Sequence, residues 1–287
     1  MATLHDIKRR IGSVQNTQKI TKAMKMVAAS KLKRAQDAIA TARPYAVRMR
    51  SLVNNIALRA DMSEHPLMTP GSQNGKVVLM VITSDRGLCG AFNSNIVNAA
   101  MGHIRETFPD KTVELTLVGK KGAELLQRRH EHIREVYTDI EALGTTHEAA
   151  TTVINAVLQP FIDGEVESVF CLYNEFKSAI SQEVVLEQML PFEATPLAEG
   201  ERATDYLYEP AAEVMFAELL TRHMNIQMHR MQCESTASEH GARMTAMESA
   251  TTNAGDMIQT LTLQYNRARQ SAITTELIEV ISGAEAL

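Results

Sequence analysis

The last stretch of the chain, residues 211 to 287, contains no proline and can therefore form one uninterrupted helix. At about 1.5 Å per residue, such a helix would be roughly 115 Å long, several times the width of a small domain. Residues 3 to 58 contain one proline, Pro44, and predict a second helix of roughly 80 Å that Pro44 should kink or loosen. Two long helices at opposite ends of a chain predict an antiparallel coiled coil.

The first helix has the repeat of a coiled coil. Steps of four and three residues from Ile7 to Ile56 pass mostly through apolar or small side chains, which predicts a left-handed supercoil. The repeat becomes polar for about two turns, and this part is predicted to face a different neighbour. The polar positions are Gln18, Thr21 and Lys25, and the apolar side chains there shift to Ile20, Met24 and Val27.

The second helix has a softer repeat, rich in small, hydroxyl and methionine side chains. Its final turns, from Ile273 to Leu287, are apolar on more than one face. Because the first helix is shorter, this end is predicted to lack an internal partner and to need an external one. The predicted contact positions in the second half are Thr245, Ser249, Thr252, Leu263, Ile273, Leu277, Val280 and Ala284.

Between the helices, short apolar runs alternate with helical periodicity. Residues 77–83, 112–118, 133–137, 166–173 and 183–190 predict strands, and 92–108, 121–130 and 147–162 predict helices. This alternation predicts an α/β domain with a largely parallel, Rossmann-like sheet. The predicted domains are 1–61, the N-terminal coiled-coil helix; 76–190, the central α/β domain; 191–210, a loop; and 211–287, the C-terminal coiled-coil helix.

No motif in the chain predicts an active site. The glycine-containing turn from Thr83 to Asn93 lacks both GxxxxGK[ST] and GxGxxG, so we predict no nucleotide site there. His147 is followed four residues later by Thr151, so the HExxH spacing of a zinc site is missing. We therefore predict no catalytic residue, no cofactor and no metal. The three cysteines are predicted to be free, buried thiols.

Charge is distributed very unevenly along the chain. Residues 1–50 contain twelve Lys or Arg against Asp6 and Asp37, although the whole chain has a net charge of −5. A basic helix on an acidic protein predicts an acidic partner, which could be a protein, a nucleic acid or a membrane surface.

Three stretches resemble the γ subunits of F-type ATP synthases of the bacterial type. They are residues 11–31 (IGSVQNTQKITKAMKMVAASK), 84–93 (SDRGLCGAFN) and 273–286 (ITTELIEVISGAEA). The resemblance implies a central rotor stalk without catalytic residues of its own. Such a stalk couples ion-driven rotation of a membrane ring to conformational cycling of the catalytic β subunits, for ATP synthesis or hydrolysis.

The resemblance also implies partners and contact residues. The partners are three α and three β subunits, the small ε subunit and the membrane c ring; no nucleic acid, small-molecule substrate or transmembrane segment is implied. The implied contacts with the α/β ring are Lys19, Lys22, Met24, Lys25 and Lys31 on the first helix, and Arg269, Gln270, Ile273, Thr274, Glu276, Leu277 and Val280 on the second. The implied contacts with the c ring and ε, in the foot loop 191–210, are Asp205, Tyr206, Tyr208 and Glu209.

Two other classes of protein fit parts of the pattern. The basic first helix suits a coiled-coil module that binds nucleic acid, but the acidic remainder and the apolar final turns disfavour it. An α/β enzyme with helical arms lacks a catalytic constellation. Charges near the N-terminus disfavour a signal peptide, and no organelle transit segment precedes Ile7. We therefore expect a bacterial peripheral membrane protein on the cytoplasmic side of the cell (inner) membrane.

Overall fold

A computed structural model describes residues 3–59, 65–72, 75–130, 132–139, 147–196, 206, 209 and 212–285. The chain divides into two compact units, one formed by 1–29 with 243–287 and the other by 30–242. We call them the coil unit and the sheet unit. The elements are α1 (Leu4–Arg59), β1 (Lys76–Ile82), α2 (Phe92–Glu106), β2 (Thr112–Val118), α3 (Lys120–Leu126), β3 (Ile133–Tyr137), α4 (His147–Ile162), β4 (Ser168–Phe176), β5 (Gln182–Leu190) and α5 (Ala212–Glu285).

The sheet unit contains a five-stranded mixed sheet in the order β3-β2-β1-β4-β5. The first four strands of this order pair in parallel, whereas β4 and β5 pair antiparallel from Val169↔Leu190 to Phe176↔Gln182. The prediction of a largely parallel α/β sheet between two long helices is therefore confirmed. The connection between β4 and β5 is too short for a parallel crossover, so these strands form a hairpin.

Helices cover both faces of this sheet within the sheet unit. One apolar core joins α2 and α3 to the sheet through side chains such as Ile96, Leu115 and Leu126. The other joins α1, α4 and α5 to the opposite face and includes Val53 and Phe161. Buried strands need apolar residues on both faces, which explains the continuous run of buried residues in β1.

In the coil unit, α1 and α5 run antiparallel, and the predicted repeat of α1 faces its partner without interruption. Every position of this repeat is buried or half-buried, including Gln18, Thr21 and Lys25. These polar positions keep α5 as their neighbour. Ile20 and Val27 are more than half exposed, so a different neighbour for the apolar side chains stays a prediction. The contact between α1 and α5 is therefore polar at these positions and apolar elsewhere, but it follows the same repeat of α1.

The contact stripe of α5 differs from the prediction in its second half. Ser249, Thr252 and Leu263 are exposed, and the covered positions follow steps of three and four residues that begin at Met247. The covered positions are Met247, Thr251, Ala254, Ile258, Leu261, Tyr265, Ala268 and Ala272. Many small and hydroxyl side chains give α5 several possible repeats, and from Met247 to Tyr265 the contacts with α1 select this one.

Two further features concern the helices. The helix α1 continues through Pro44, and none of its described turns departs from the α-helical pattern. No helix among the described residues has a stretch long and apolar enough to cross a lipid bilayer. Cys89, Cys171 and Cys233 are buried free thiols, as predicted.

Candidate partner-binding surfaces

A basic groove lies between α1 and α5 in the coil unit. It has a volume of about 450 Å³ and is open to solvent. The lysines at 19, 22 and 25 project from successive turns of α1, because steps of three and four residues share one helix face. An open groove with several ammonium groups suits an acidic partner. The lining residues are Gln18, Lys19, Lys22, Lys25, Met26, Glu248, Thr251 and Thr252.

The charge of this groove is partly balanced from within the chain. Lys25 Nζ donates to Glu248 Oε1 at 2.7 Å, and both side chains remain more than one-third exposed. Lys19 and Lys22 are exposed, while Met24 and Lys31 are half-buried. The structure thus brings Lys19, Lys22 and Lys25 together. The acidic side of the groove, Glu248, was missed because it lies more than 200 residues away in the sequence.

The last turns of α5 expose apolar side chains in succession. Gln18 of α1 contacts Thr251 of α5, so an equal helical rise places the start of α1, Leu4, opposite a point near Tyr265. About twenty residues of α5 therefore extend past the beginning of α1. The exposed apolar side chains in this segment are Ile273, Leu277, Ile278, Val280 and Ile281.

The predicted contact residues of α5 share one side of the helix. At about 100° per residue, they fall within an arc of roughly 160°, next to the stripe that packs on α1. Arg269, Gln270, Thr274 and Glu276 are exposed, and the Thr274 hydroxyl donates to the Gln270 carbonyl at 2.9 Å. This surface mixes apolar and polar groups, as protein–protein interfaces do. The structure therefore leaves the predicted residues accessible together.

The foot loop is described only in part. Asp205 and Tyr208 lie outside the described residues, and Glu209 is exposed. Tyr206 is half-buried, and its hydroxyl accepts a hydrogen bond from Asn55 Nδ2 at 3.5 Å. Its ring packs against the core between the sheet, α1 and α5. Tyr206 therefore anchors the loop on α1 in addition to any external contact.

The turn after β1 is filled by its own side chains. Asp85 Oδ1 accepts from the backbone N–H of Lys120 at 3.0 Å, so a carboxylate already occupies the start of α3. The Thr83 hydroxyl donates to the Val118 carbonyl and accepts from the Gly122 N–H. A Cβ at Gly119 would lie 2.4 Å from the Thr83 carbonyl oxygen. The turn therefore braces the β2–α3 connection.

In open α/β sheets, ligands commonly bind at the carboxyl ends of the strands where the strand order reverses, which here lies between β1 and β4. In this chain α5 covers the carboxyl end of β4. The Ser238 hydroxyl donates to the Asn174 carbonyl at 3.1 Å, and Gly241 packs on Ala179. Among the residues that the structure describes, no three His, Cys, Asp or Glu side chains come together as a metal site would require.

Comparison with known proteins identifies the family. The family model described as "ATP synthase" matches residues 3–287. The ATP synthase gamma chain of Anaeromyxobacter sp. (strain K) is 48% identical over 291 residues, covering 100% of both chains. The gamma chain of Geotalea daltonii is 46% identical over 288 residues, covering 100% of this chain and 99% of its own.

Solved structures agree with the fold. The central stalk and c ring of the Tetrahymena thermophila mitochondrial ATP synthase includes a chain with a TM-score of 0.64 at 27% identity, covering 80% of this chain and 99% of that one. A chain of the Euglena gracilis mitochondrial ATP synthase, rotational state 3, gives a TM-score of 0.71 at 19% identity, covering 99% and 94%. Neither finding supports a nucleic-acid-binding module. The chain belongs to the ATP synthase gamma chain family.

Proposed function

We propose that this chain is the central rotor stalk of an F-type ATP synthase. It couples rotation of a membrane ring to conformational cycling of the catalytic β subunits and performs no chemistry itself. Full-length identity of 48% to a gamma chain is the observation that carries this proposal. The relatives' solved assemblies, named as a central stalk with c ring and as a rotor, support the same role.

The mechanism follows from asymmetry. A shaft with one basic side and one apolar end touches each of three identical β subunits differently. Each subunit is therefore biased to a different conformation and nucleotide affinity, and rotation exchanges these states. Converting a site from almost entirely one state to almost entirely another requires about 5.5 kcal/mol of differential contact.

Two surfaces would supply this differential contact. The groove that contains Lys19, Lys22 and Lys25 would attract acidic segments of β. The half-buried Met24 and Lys31 of α1 would add contacts with the α/β ring. The end of α5 would turn inside the α/β ring, because Leu277 and Val280 are 57% and 70% exposed in the isolated chain. Arg269, Gln270, Ile273, Thr274 and Glu276 would add contacts on the same side.

The foot loop would meet the membrane ring and ε through Asp205, Tyr206, Tyr208 and Glu209. The chain would then be a peripheral protein on the cytoplasmic side of the bacterial cell membrane, held there through the ring. A salt-dependent contact at the basic groove and a salt-resistant contact at the apolar end of α5 are expected.

The experiment is reconstitution from purified α, β and γ chains. With this chain present, ATP hydrolysis should rise above that of α and β alone, and addition of ε and of vesicles that contain the complete membrane sector and stator should give ATP-driven ion pumping. A folded chain that does not assemble with α and β would refute the proposal. Salt-sensitive binding to DNA in place of assembly would favour the nucleic-acid module instead.

A further inference from the structure

A segment of α5 in the sheet unit is buried together with many polar side chains. Most helices bury one apolar stripe, and burying a polar group is costly unless it is hydrogen-bonded. This segment therefore needs a reason for its composition. The buried polar residues are His223, Asn225, Gln227, Gln232, Glu234, Ser235, Ser238 and His240.

Arg230 is the centre of a hydrogen-bonded network on one face of this segment. Its guanidinium donates to Glu187 Oε2 at 2.7 Å and to the Tyr173 hydroxyl at 3.0 Å. It also donates to Gln227 Oε1 at 2.8 Å. Burial lowers the pKa of Arg230, but Glu187 and Tyr173 outweigh burial and raise it, so the cation persists. The hairpin β4–β5 is thus tied to α5 by charge.

Glu234 extends the network to α1. Its side chain is only 2% exposed and lies 3.2 Å from Arg43 Nε and 3.5 Å from Arg230 Nη1. Arg43 also donates to the Phe176 carbonyl at the end of β4. Arg50 of α1 also lies 3.8 Å from Glu187 Oε1. Three guanidinium groups and two carboxylates therefore join three separate elements: α1, α5 and the β4–β5 hairpin.

The largest apolar side chains buried along the same segment are methionines. Met224, Met228 and Met231 are fully buried, but methionine is unbranched and adapts to several packings. Hydrogen bonds of the network are directional, and rotating α5 by one residue, about 100°, would leave the Glu234 carboxylate buried without a cation. The charged network therefore discriminates between registers and angles of α5 more sharply than the methionines do.

We propose that Arg43, Tyr173, Glu187, Arg230 and Glu234 form a rotational lock that fixes the angle of α5 about its own axis against β4, β5 and α1. The lock rests on the proposed function, because its use is to make the sheet and the long helices turn together under torque. These are positioning residues, since none of them needs to touch a partner subunit. Replacing buried ion pairs by apolar groups often leaves stability unchanged, which favours a role in specifying geometry.

The test uses three variants: Glu187→Gln, Tyr173→Phe and the double variant that carries both changes. Each is compared with the control variant Lys33→Met. Lys33 pairs with Asp37 on the exposed face of α1, and both residues belong to this one helix. Lys33→Met therefore also removes one ion pair, but not one that joins separate elements. In the isolated full-length chain, hydrogen exchange of residues 223–241 should accelerate about tenfold in the combined variant and stay unchanged in Lys33→Met. Tyr173→Phe keeps the ring in the core and serves if the combination does not fold.

The assembled complex then tests the torque. Ions pumped per ATP hydrolysed should fall for the combined variant as the opposing ion gradient rises, while hydrolysis without a gradient stays at the wild-type rate. If the combined variant had the same hydrogen-exchange rate as Lys33→Met, or pumped the same number of ions per ATP, the proposed lock would be refuted. A wild-type complex that does not pump at all refutes the rotor function instead, and the exchange experiment still decides whether the lock exists.

Discussion

The hydroxyl oxygens of Thr21 on α1 and Thr251 on α5 lie 2.8 Å apart, and the pair is partly buried. Gln18 Nε2 adds a hydrogen bond of 3.4 Å to the Thr251 carbonyl. Two helices of the coil unit thus remain in register through a polar section of their contact. Directional bonds replace apolar packing at this point.

This relationship can be measured by a double-mutant cycle with Thr21→Val and Thr251→Val. Each single change leaves one hydroxyl without its partner across the helices, whereas the double change gives a matched apolar pair. We expect a coupling free energy of about 0.5–1 kcal/mol from urea unfolding. Strictly additive effects would mean that the hydroxyl contact does not stabilise the coil.

Gly119→Ala should destabilise the sheet unit by about 3 kcal/mol or more. The added Cβ would meet the Thr83 carbonyl at 2.4 Å, and the residue has φ +105°, which side chains disfavour. Thermal unfolding measures the effect. Gly87→Ala is the control, because nothing lies within 4 Å of a Cβ there. Similar melting temperatures for both variants would contradict the close packing.

Glu248→Gln should strengthen binding to the α/β ring at low salt. The change frees Lys25 from its partner at 2.7 Å and removes one negative charge from the basic groove. Because both side chains are exposed, stability should change by less than about 1 kcal/mol. Association rates at several salt concentrations measure the effect, with Glu218→Gln as a control that breaks the exposed pair with Arg222. Equal association rates for the two variants would show that the groove does not contact the α/β ring.

Acid should weaken the sheet unit through His223. Burial, followed by the charges of Arg50 and Arg230, lowers the pKa of His223 to about 4. The unfolded chain binds this proton more tightly, since an ordinary histidine has a pKa of about 6.5, so stability falls as pH drops below that value.

Between pH 7 and pH 5, the loss should be about 2 kcal/mol greater for the wild type than for His223→Gln. Urea unfolding at pH 5, 6 and 7 gives both slopes. Parallel slopes for the two proteins would show that His223 is not held neutral by its surroundings.

Leu277→Asp should weaken assembly with α and β about tenfold or more, because the interface would bury an unpaired charge. Val214→Asp is the matched control: both side chains are exposed apolar residues on α5, at 57% and 61%. Sedimentation or native mass spectrometry measures assembly. An equal loss in both variants would place the contact elsewhere on α5.

Much of the fold could be predicted from the sequence in those segments where the apolar residues recur with a single clear spacing. The strands β2 and β3 begin and end at the predicted residues, because β-branched and aromatic side chains such as Val113, Ile133 and Tyr137 recur in both. The stripe of α5 could not be predicted, because Ser, Thr, Ala and Met occur on several of its faces. Contact with α1 decides which of them is covered.

Some features of the candidate surfaces could also be predicted from the sequence, and others could not. Exposure of Leu277 and Val280 could be expected, since no apolar partner remains for the end of α5. The pairing of Lys25 with Glu248, and that of Arg230 with Glu187, joins residues far apart in the chain. A single sequence contains no signal for such pairs, apart from the i, i+4 spacing of Arg230 and Glu234.

Observation of rotation in single complexes tests the central claim most directly. Ile180→Cys provides an attachment site that is 83% exposed in the wild type, whereas all three native cysteines are buried. A bead at this position, on complexes fixed through the β subunits, should turn in one direction with three ATP-dependent steps per revolution. A bead that stays fixed while assembled complexes hydrolyse ATP would contradict the rotor account.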